Sequence, residues 1–274
     1  MPVSFITTVR VTDERRARNL RYTLDWYQRQ CDWEWVIVEQ DAAPRLDELP
    51  LPEGLKRLFV LNPGPFNKAW GFNVGVRAAR GDLLFFCDAD LLVPASALET
   101  ATSLCTRRVL AVNPYETLAD LGRTESDALL AGDEPPRFDR NDASDRRGER
   151  ERICFCGGAF MMRRSLHQHM GGFDERYLGW GGEDDAMSLR LGRTTAEVAV
   201  VQGRMALHLW HARETATTFG NPHYRTNLER LDALRALPDN EFRFMRDVQR
   251  QLMGYPGKYE RELRRGDDAS LPNA

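Results

Sequence analysis

Apolar and polar residues alternate in blocks along the chain, and block length and spacing separate strands from helices. Val3 to Val9 reads as a first strand, with Thr12 or Asp13 placed to cap a helix whose Leu20, Leu24 and Tyr27 share one face. Trp35 to Glu39 predicts a second strand running into Glu39-Gln40-Asp41. Arg57 to Leu61 predicts a third, before the turn-rich Asn62-Pro63-Gly64-Pro65. Asn67 to Ala79 then reads as a helix closed by Gly81, followed by the apolar strand Leu83 to Cys87. Such strand–helix alternation predicts an α/β fold built on a mostly parallel, doubly wound, Rossmann-like sheet.

The pattern weakens further on. Val109 to Val112 reads as a strand, but Gly122 to Glu151 is rich in charge, Gly and Pro. Its large apolar residues are confined to Leu129-Leu130 and Phe138, so it is expected to be a long mobile surface loop, either a solvated insertion or a lid. Order resumes at Cys156 to Met162, a short strand feeding a helix around Arg164 to His169. Strands at Val198–Val201 and Met205–Leu209 follow. Beyond them the chain reads as helical, with Leu228, Leu231 and Leu234 on one face and Phe242, Met245 and Leu252 on another, both packing on the core. Residues 1–211 are therefore expected to form the main domain and 212–274 a C-terminal helical extension.

Composition narrows the function classes. A formal charge of -3 over 274 residues gives no global field for nucleic acid, so any anion site is local. The first residues enter a strand without a basic, apolar leader, and no apolar run is long enough to span a bilayer; a soluble, cytoplasmic protein is expected. The five cysteines lack zinc spacing and read as buried thiols. Lys258 to Arg265 is basic, which suits either a solvated face or peripheral contact with an anionic membrane.

Two acidic motifs carry the chemistry. The strand Leu83–Cys87 ends in Asp88-Ala89-Asp90, which puts hard carboxylate oxygens at a sheet's C-terminal edge, where α/β proteins bind ligands and a divalent ion can bridge phosphates. Gly179-Trp180-Gly181-Gly182-Glu183-Asp184-Asp185 couples hinge-capable glycines and an indole face to three acids at a helix start. His208-Leu209-Trp210-His211 ends a strand with two imidazoles suited to transition metals. Phe66-Asn67-Lys68 opens a helix whose N-terminus, with a cation beside it, can attract a diphosphate.

Together these motifs resemble the nucleotide-sugar glycosyltransferases of the A-type fold, most closely the β-1,4-galactosyltransferase-like and family 2 members. The resemblance covers roughly Val3 to His211, the expected catalytic domain. It implies a metal-dependent inverting transfer of a hexose (galactose, N-acetylgalactosamine or glucose type) from a nucleotide diphosphate sugar, UDP-linked, to a carbohydrate or glycoconjugate acceptor. It also implies roles. Asp184 is the base, and Glu183 holds the acceptor. Asp90 and His211 ligate Mn²⁺ or Mg²⁺; His208 stands where the family has Met and is a third candidate ligand. Arg10, Glu39, Phe66, Lys68, Asp88, Trp180 and Gly182 line the donor. Lys68 replaces the family's Arg, keeping charge without a bidentate grip. Two rival readings share some of these features: a nucleotidyl- or phosphoryltransferase on a similar sheet, and a catalytically inactive carbohydrate-binding relative.

Overall fold

A computed structural model describes residues 1–145, 158–212 and 219–260. Its backbone is a seven-stranded sheet whose spatial order places β1 (Val3–Val9) between β2 (Glu34–Asp41) and β4 (Leu83–Cys87), with β3 (Leu55–Leu61) outside β2. β1, β2, β3 and β4 run parallel. All seven residues of β1 and all five of β4 are buried, as expected of strands covered by helices on both faces. Beyond β4 the direction changes. β8 (Ala159–Arg163) lies antiparallel to β4 and to β6 (Ala111–Asn113), and β9 (Val198–Val200) closes the edge parallel to β6. The expected mostly parallel, doubly wound sheet is what forms.

Two cores flank it. One joins Phe5, Ile37 and Phe85 to Leu20, Leu24 and Tyr27 of α1 (Glu14–Gln28), whose N-cap Asp13 accepts from the backbone of Arg16. The other joins Ile6, Val38 and Phe86 to Trp70, Phe72 and Val74 of α2 (Lys68–Ala78) and to α5 (Arg164–His169) and α6 (Glu183–Thr194). Close approach on this second face depends on glycine: a Cβ on Gly71 would lie 2.0 Å from Thr8 Oγ1. Gly81 proves to be another close approach rather than the helix stop. α2 ends at Ala78 with Ala79 extended, and the Gly81 N–H donates to Ser4 Oγ at 2.8 Å.

A second sheet of three strands, in the order β5 (Leu91–Leu92), β10 (Met205–His208), β7 (Thr117–Asp120), stands at the C-terminal edge of the main one. Its pairing sets the site, because β10 runs antiparallel to β5 with His208 opposite Leu91, and the Leu209 N–H donates to Asp90 O at 2.8 Å. β5, β7 and α3 (Ala95–Arg107) are elements that the hydrophobic pattern does not reveal.

The expected loop at Gly122–Glu151 needs correction. Its first part is a helix, α4 (Arg123–Ala131), started by Glu125 accepting from the Gly122 N–H at 2.8 Å and stopped by Gly132 in the left-handed conformation. Phe138 packs onto the small core around Leu129 and Leu207, and Leu118 bridges to Ser144. Residues 146–151 lie outside the described ones, as do Cys154 and Cys156; Cys31, Cys87 and Cys105 are free thiols. In the extension, α7 (Tyr224–Ala236) and α8 (Asp239–Leu252) bury Leu231, Leu234 and Phe242 against Tyr177 and Ala186. Leu228 and Leu252 do not join that stripe: both are exposed, Leu252 by 67%. The basic segment does not begin as a freely solvated face, since Lys258 pairs with Glu175 at 3.2 Å; residues 261–265 lie outside the described ones. Among the described residues, no helix is long and apolar enough to cross a membrane.

Candidate active site

Asp90, His208 and His211 converge at the sheet edge, with one ligand atom from each lying within 4.8 Å of the others. Nε2 of His208 is 3.4 Å from Asp90 Oδ1, and Nε2 of His211 is 3.4 Å from Asp90 Oδ2. The two rings meet edge to face at 5.3 Å. Asp120 holds the other side of His208, its Oδ1 3.1 Å from Nδ1, so the imidazole is oriented from behind as metal-binding histidines usually are. The charges reinforce one another. Burial alone would raise the Asp90 pKa, yet His208, His211 and Arg16 pull it down to about 2. Burial would lower that of His208, yet Asp90 and Asp120 lift it to about 10.

A second cluster lies beside the first. Lys68, at the first turn of α2, places Nζ 3.0 Å from Asp88 Oδ1 and 3.4 Å from Asp184 Oδ2. Burial opposes the ammonium charge, but Asp184, Asp88 and Glu183 outweigh it and raise the pKa well above the usual lysine value. One cation thus joins the strand-end motif to the helix-start motif, which are far apart in sequence. Asp88 is fixed further by the Gly158 N–H, which donates to its Oδ2 at 2.9 Å. Glu183, at the start of α6, accepts from the Gly181 N–H at 2.9 Å. Burial and the neighbouring Asp184 push its carboxyl up to about 7 against the lowering pull of Lys68.

The loop before α6 is held at defined points. The Gly179 N–H donates to Phe66 O at 2.8 Å, and Gly182 caps α6 with φ 86°. Trp180 is 37% exposed; its ring stacks on Tyr224 at 5.6 Å and meets Phe219 edge-on at 5.1 Å. Asn221 Nδ2 donates to Trp180 O at 2.7 Å and to Leu178 O at 3.0 Å. Phe219, Asn221 and Tyr224 are not among the residues expected from the sequence. The turn signal Gly220-Asn221-Pro222 is there to be read, but nothing local ties it to Trp180.

Arg10 and Glu39, at the ends of β1 and β2, are committed to loop backbone. Arg10 donates to the carbonyls of Gln40 (2.9 Å), Gly64 (2.8 Å) and Asn62 (2.7 Å). Glu39 accepts from the Arg45 N–H at 2.7 Å and from that of Leu46. Both shape the turns around the sheet's C-terminal edge. Asn67, the N-cap of α2, donates to Glu175 O at 2.9 Å and to the Tyr259 hydroxyl at 3.0 Å, which ties the same edge to the C-terminal extension.

Known proteins share parts of this architecture. The family model for glycosyl transferase family 2 matches residues 15–171, and that for the N-terminal domain of galactosyltransferase matches residues 143–212. No curated protein matches the sequence. Among solved structures, S. aureus TarS 1-349 in complex with UDP-GlcNAc is similar with a TM-score of 0.56 and 13% identity, over 87% of this chain and 68% of that one. A second structure of S. aureus TarS 1-349 gives a TM-score of 0.49 and 16% identity over 76% of this chain and 60% of that one. The mannosyltransferase PcManGT from Pyrobaculum calidifontis in complex with GDP-Man and Mn2+ gives 0.48 and 18% over 77% and 57%. At such identity the likeness to TarS speaks to the fold alone.

Proposed function

The chain belongs to glycosyl transferase family 2, and from that premise we propose that it transfers a hexose from a UDP-linked sugar to an acceptor hydroxyl, with inversion at the anomeric carbon. The observation that carries this reading is the pair of adjoining clusters. Asp90, His208 and His211 bring three candidate metal ligands together beside Asp88, and Lys68 links Asp88 to Asp184.

The donor set fits a divalent ion. Asp90, His208 and His211 would hold the ion, each imidazole Nε2 lying 3.4 Å from an Asp90 carboxylate oxygen. Two nitrogen ligands favour Mn²⁺ over the oxygen-seeking Mg²⁺. Bound there, the ion would supply Lewis-acid stabilisation of the departing diphosphate, worth several kcal/mol. The remaining work belongs to side chains. Lys68 is placed to give up its contact with Asp184 for a phosphate oxygen, adding positive charge where the leaving group develops negative charge. Asp184 Oδ2, released, takes the proton of the attacking hydroxyl. Glu183, whose carboxyl burial and Asp184 push up from the usual range, is favoured in its protonated form and can then donate a hydrogen bond to a neighbouring acceptor hydroxyl. Trp180 covers the sugar from the solvent side and limits hydrolysis by water.

Calorimetry of UDP with and without Mn²⁺, followed by mass detection of transfer onto a panel of saccharide acceptors, tests the proposal. The expected result is UDP binding that is lost on adding EDTA and a glycosylated product whose anomeric configuration is inverted relative to the donor. Undiminished UDP affinity without metal would overturn the metal-dependent part. Donor hydrolysis or transfer that never occurs despite tight UDP binding would favour an inactive relative.

A further inference from the structure

Away from the carboxylates, an open groove runs between α1 and α4. Its upper part, of about 640 Å³, is lined by Arg15, Arg18 and Arg123 against Asp127 and Asp133. Its lower part, of about 610 Å³, continues past Arg18 and Ala131 to Tyr22, Trp26, Pro135 and Pro136. Both volumes lie in the range of ligand clefts. Along α1, from Arg15 to Arg29, the trench measures about 20 Å at the helical rise of 1.5 Å per residue.

The Arg15 end of the groove adjoins the Asp90–His208–His211 cluster, since the neighbouring Arg16 places Nη2 3.4 Å from His211 Nδ1. Trp210, next to His211, lies under the guanidinium groups of Arg15 at 5.4 Å and Arg123 at 5.3 Å. Its backbone is clamped from both walls: Asn19 of α1 donates to its carbonyl at 3.1 Å, and its N–H donates to Ser126 Oγ of α4 at 2.8 Å. Arg15 also forms an ion pair with Asp127 across the groove. The lining therefore mixes guanidinium donors, carboxylate acceptors, half-buried aromatic faces and two prolines, with the two signs of charge nearly in balance. That mixture does not select a polyanion. It suits a chain of vicinal hydroxyls on flat C–H faces, where donor forks and carboxylates engage adjacent hydroxyl groups and rings stack on aromatic side chains.

We propose that the α1–α4 groove is a glycan subsite that holds the extended, uncharged oligosaccharide arm of the acceptor while its terminal hydroxyl reaches Asp184. The link to catalysis rests on the transferase reading; carbohydrate binding in the groove does not. The test uses the full chain without donor and titrates di- and hexasaccharides of glucose, N-acetylglucosamine, galactose and mannose by calorimetry. In the wild type, at least one hexasaccharide should bind tenfold or more tightly than its disaccharide. Arg18→Ala combined with Arg21→Ala alters two exposed lining residues outside the catalytic clusters. The double variant should lose at least fivefold of that length gain while its melting temperature and UDP affinity stay unchanged. No length gain with any sugar, or a gain the double variant keeps in full, overturns the subsite. A length gain that persists in a protein lacking UDP binding and transfer would instead sink the transferase reading and leave the groove as a carbohydrate site.

Discussion

At the scale of single residues, the proposed division of labour between Asp184 and Glu183 is open to direct measurement. Asp184→Asn keeps the side chain's shape but removes the base, so kcat should fall by about 10²–10⁴ while UDP affinity changes little. Equal losses in both would mark Asp184 as an anchor for Lys68 only. Glu183 gives a stability signature. Its folded pKa, about 7, lies above the ordinary carboxylate value of 4.5, so between those limits the folded chain binds more proton than the unfolded one. Stability contributed at this position therefore falls as pH rises through the window, by at most about 1.4 kcal/mol per unit. Glu183→Gln should melt higher than wild type at pH 8, and the difference should shrink toward pH 5 in paired thermal scans. A difference independent of pH would refute the raised pKa. Much of this chemistry is legible in the chain. Asp88 and Asp90 follow an apolar run that can only be a buried strand, and the acids after Gly182 announce a helix start. The role of His208 is not legible, because it depends on β10 pairing with β5 and on Asp120 from β7, all distant in sequence.

Among the elements, long strands with a continuous apolar run are predicted well and short or sparsely apolar elements poorly. β1 and β4, buried throughout, appear where the pattern places them, whereas the two-residue β5 does not stand out although it is buried as well. α4 escapes because a helix that packs one narrow edge needs few apolar residues, and its charges resemble a loop's composition. Leu228 and Leu252 mislead for the opposite reason, being apolar residues on helices whose outer faces meet no core. α2 offers a test of how tightly an element positions Lys68. Gly71→Ala would force the new methyl onto Thr8 and Gln40, which should cost about 1–3 kcal/mol by chemical denaturation and weaken UDP binding through displacement of the helix start. Unchanged stability would mean that α2 can slide on the sheet without penalty.

For the molecule as a whole, the site is a joint product of distant segments, and ligand binding should register across them. Donor with Mn²⁺ is expected to protect the Gly179–Gly182 segment from protease and to alter the Trp180 environment, with the acceptor's reacting hydroxyl seated at Asp184 only afterwards; Trp180→Ala should impair acceptor use more than UDP binding. Random-order kinetics without ligand-dependent protection would count against this closure. Asn67 is bonded to Tyr259, and the Trp70 indole donates to Tyr255 O at 2.9 Å, so the end of the active-site sheet is fastened to residues near the far end of the described chain. That fastening bears on how the protein is made. Synthesis delivers residues from the N-terminus first, and the parallel sheet can assemble while later segments are still inside the ribosome. The clasp over α2 cannot close until Tyr255 and Tyr259 have left the exit tunnel. Nascent chains should therefore gain a protease-resistant core before they bind UDP, which waits until Tyr255 and Tyr259 have emerged, leaving the cell no window in which a half-made enzyme consumes its donor.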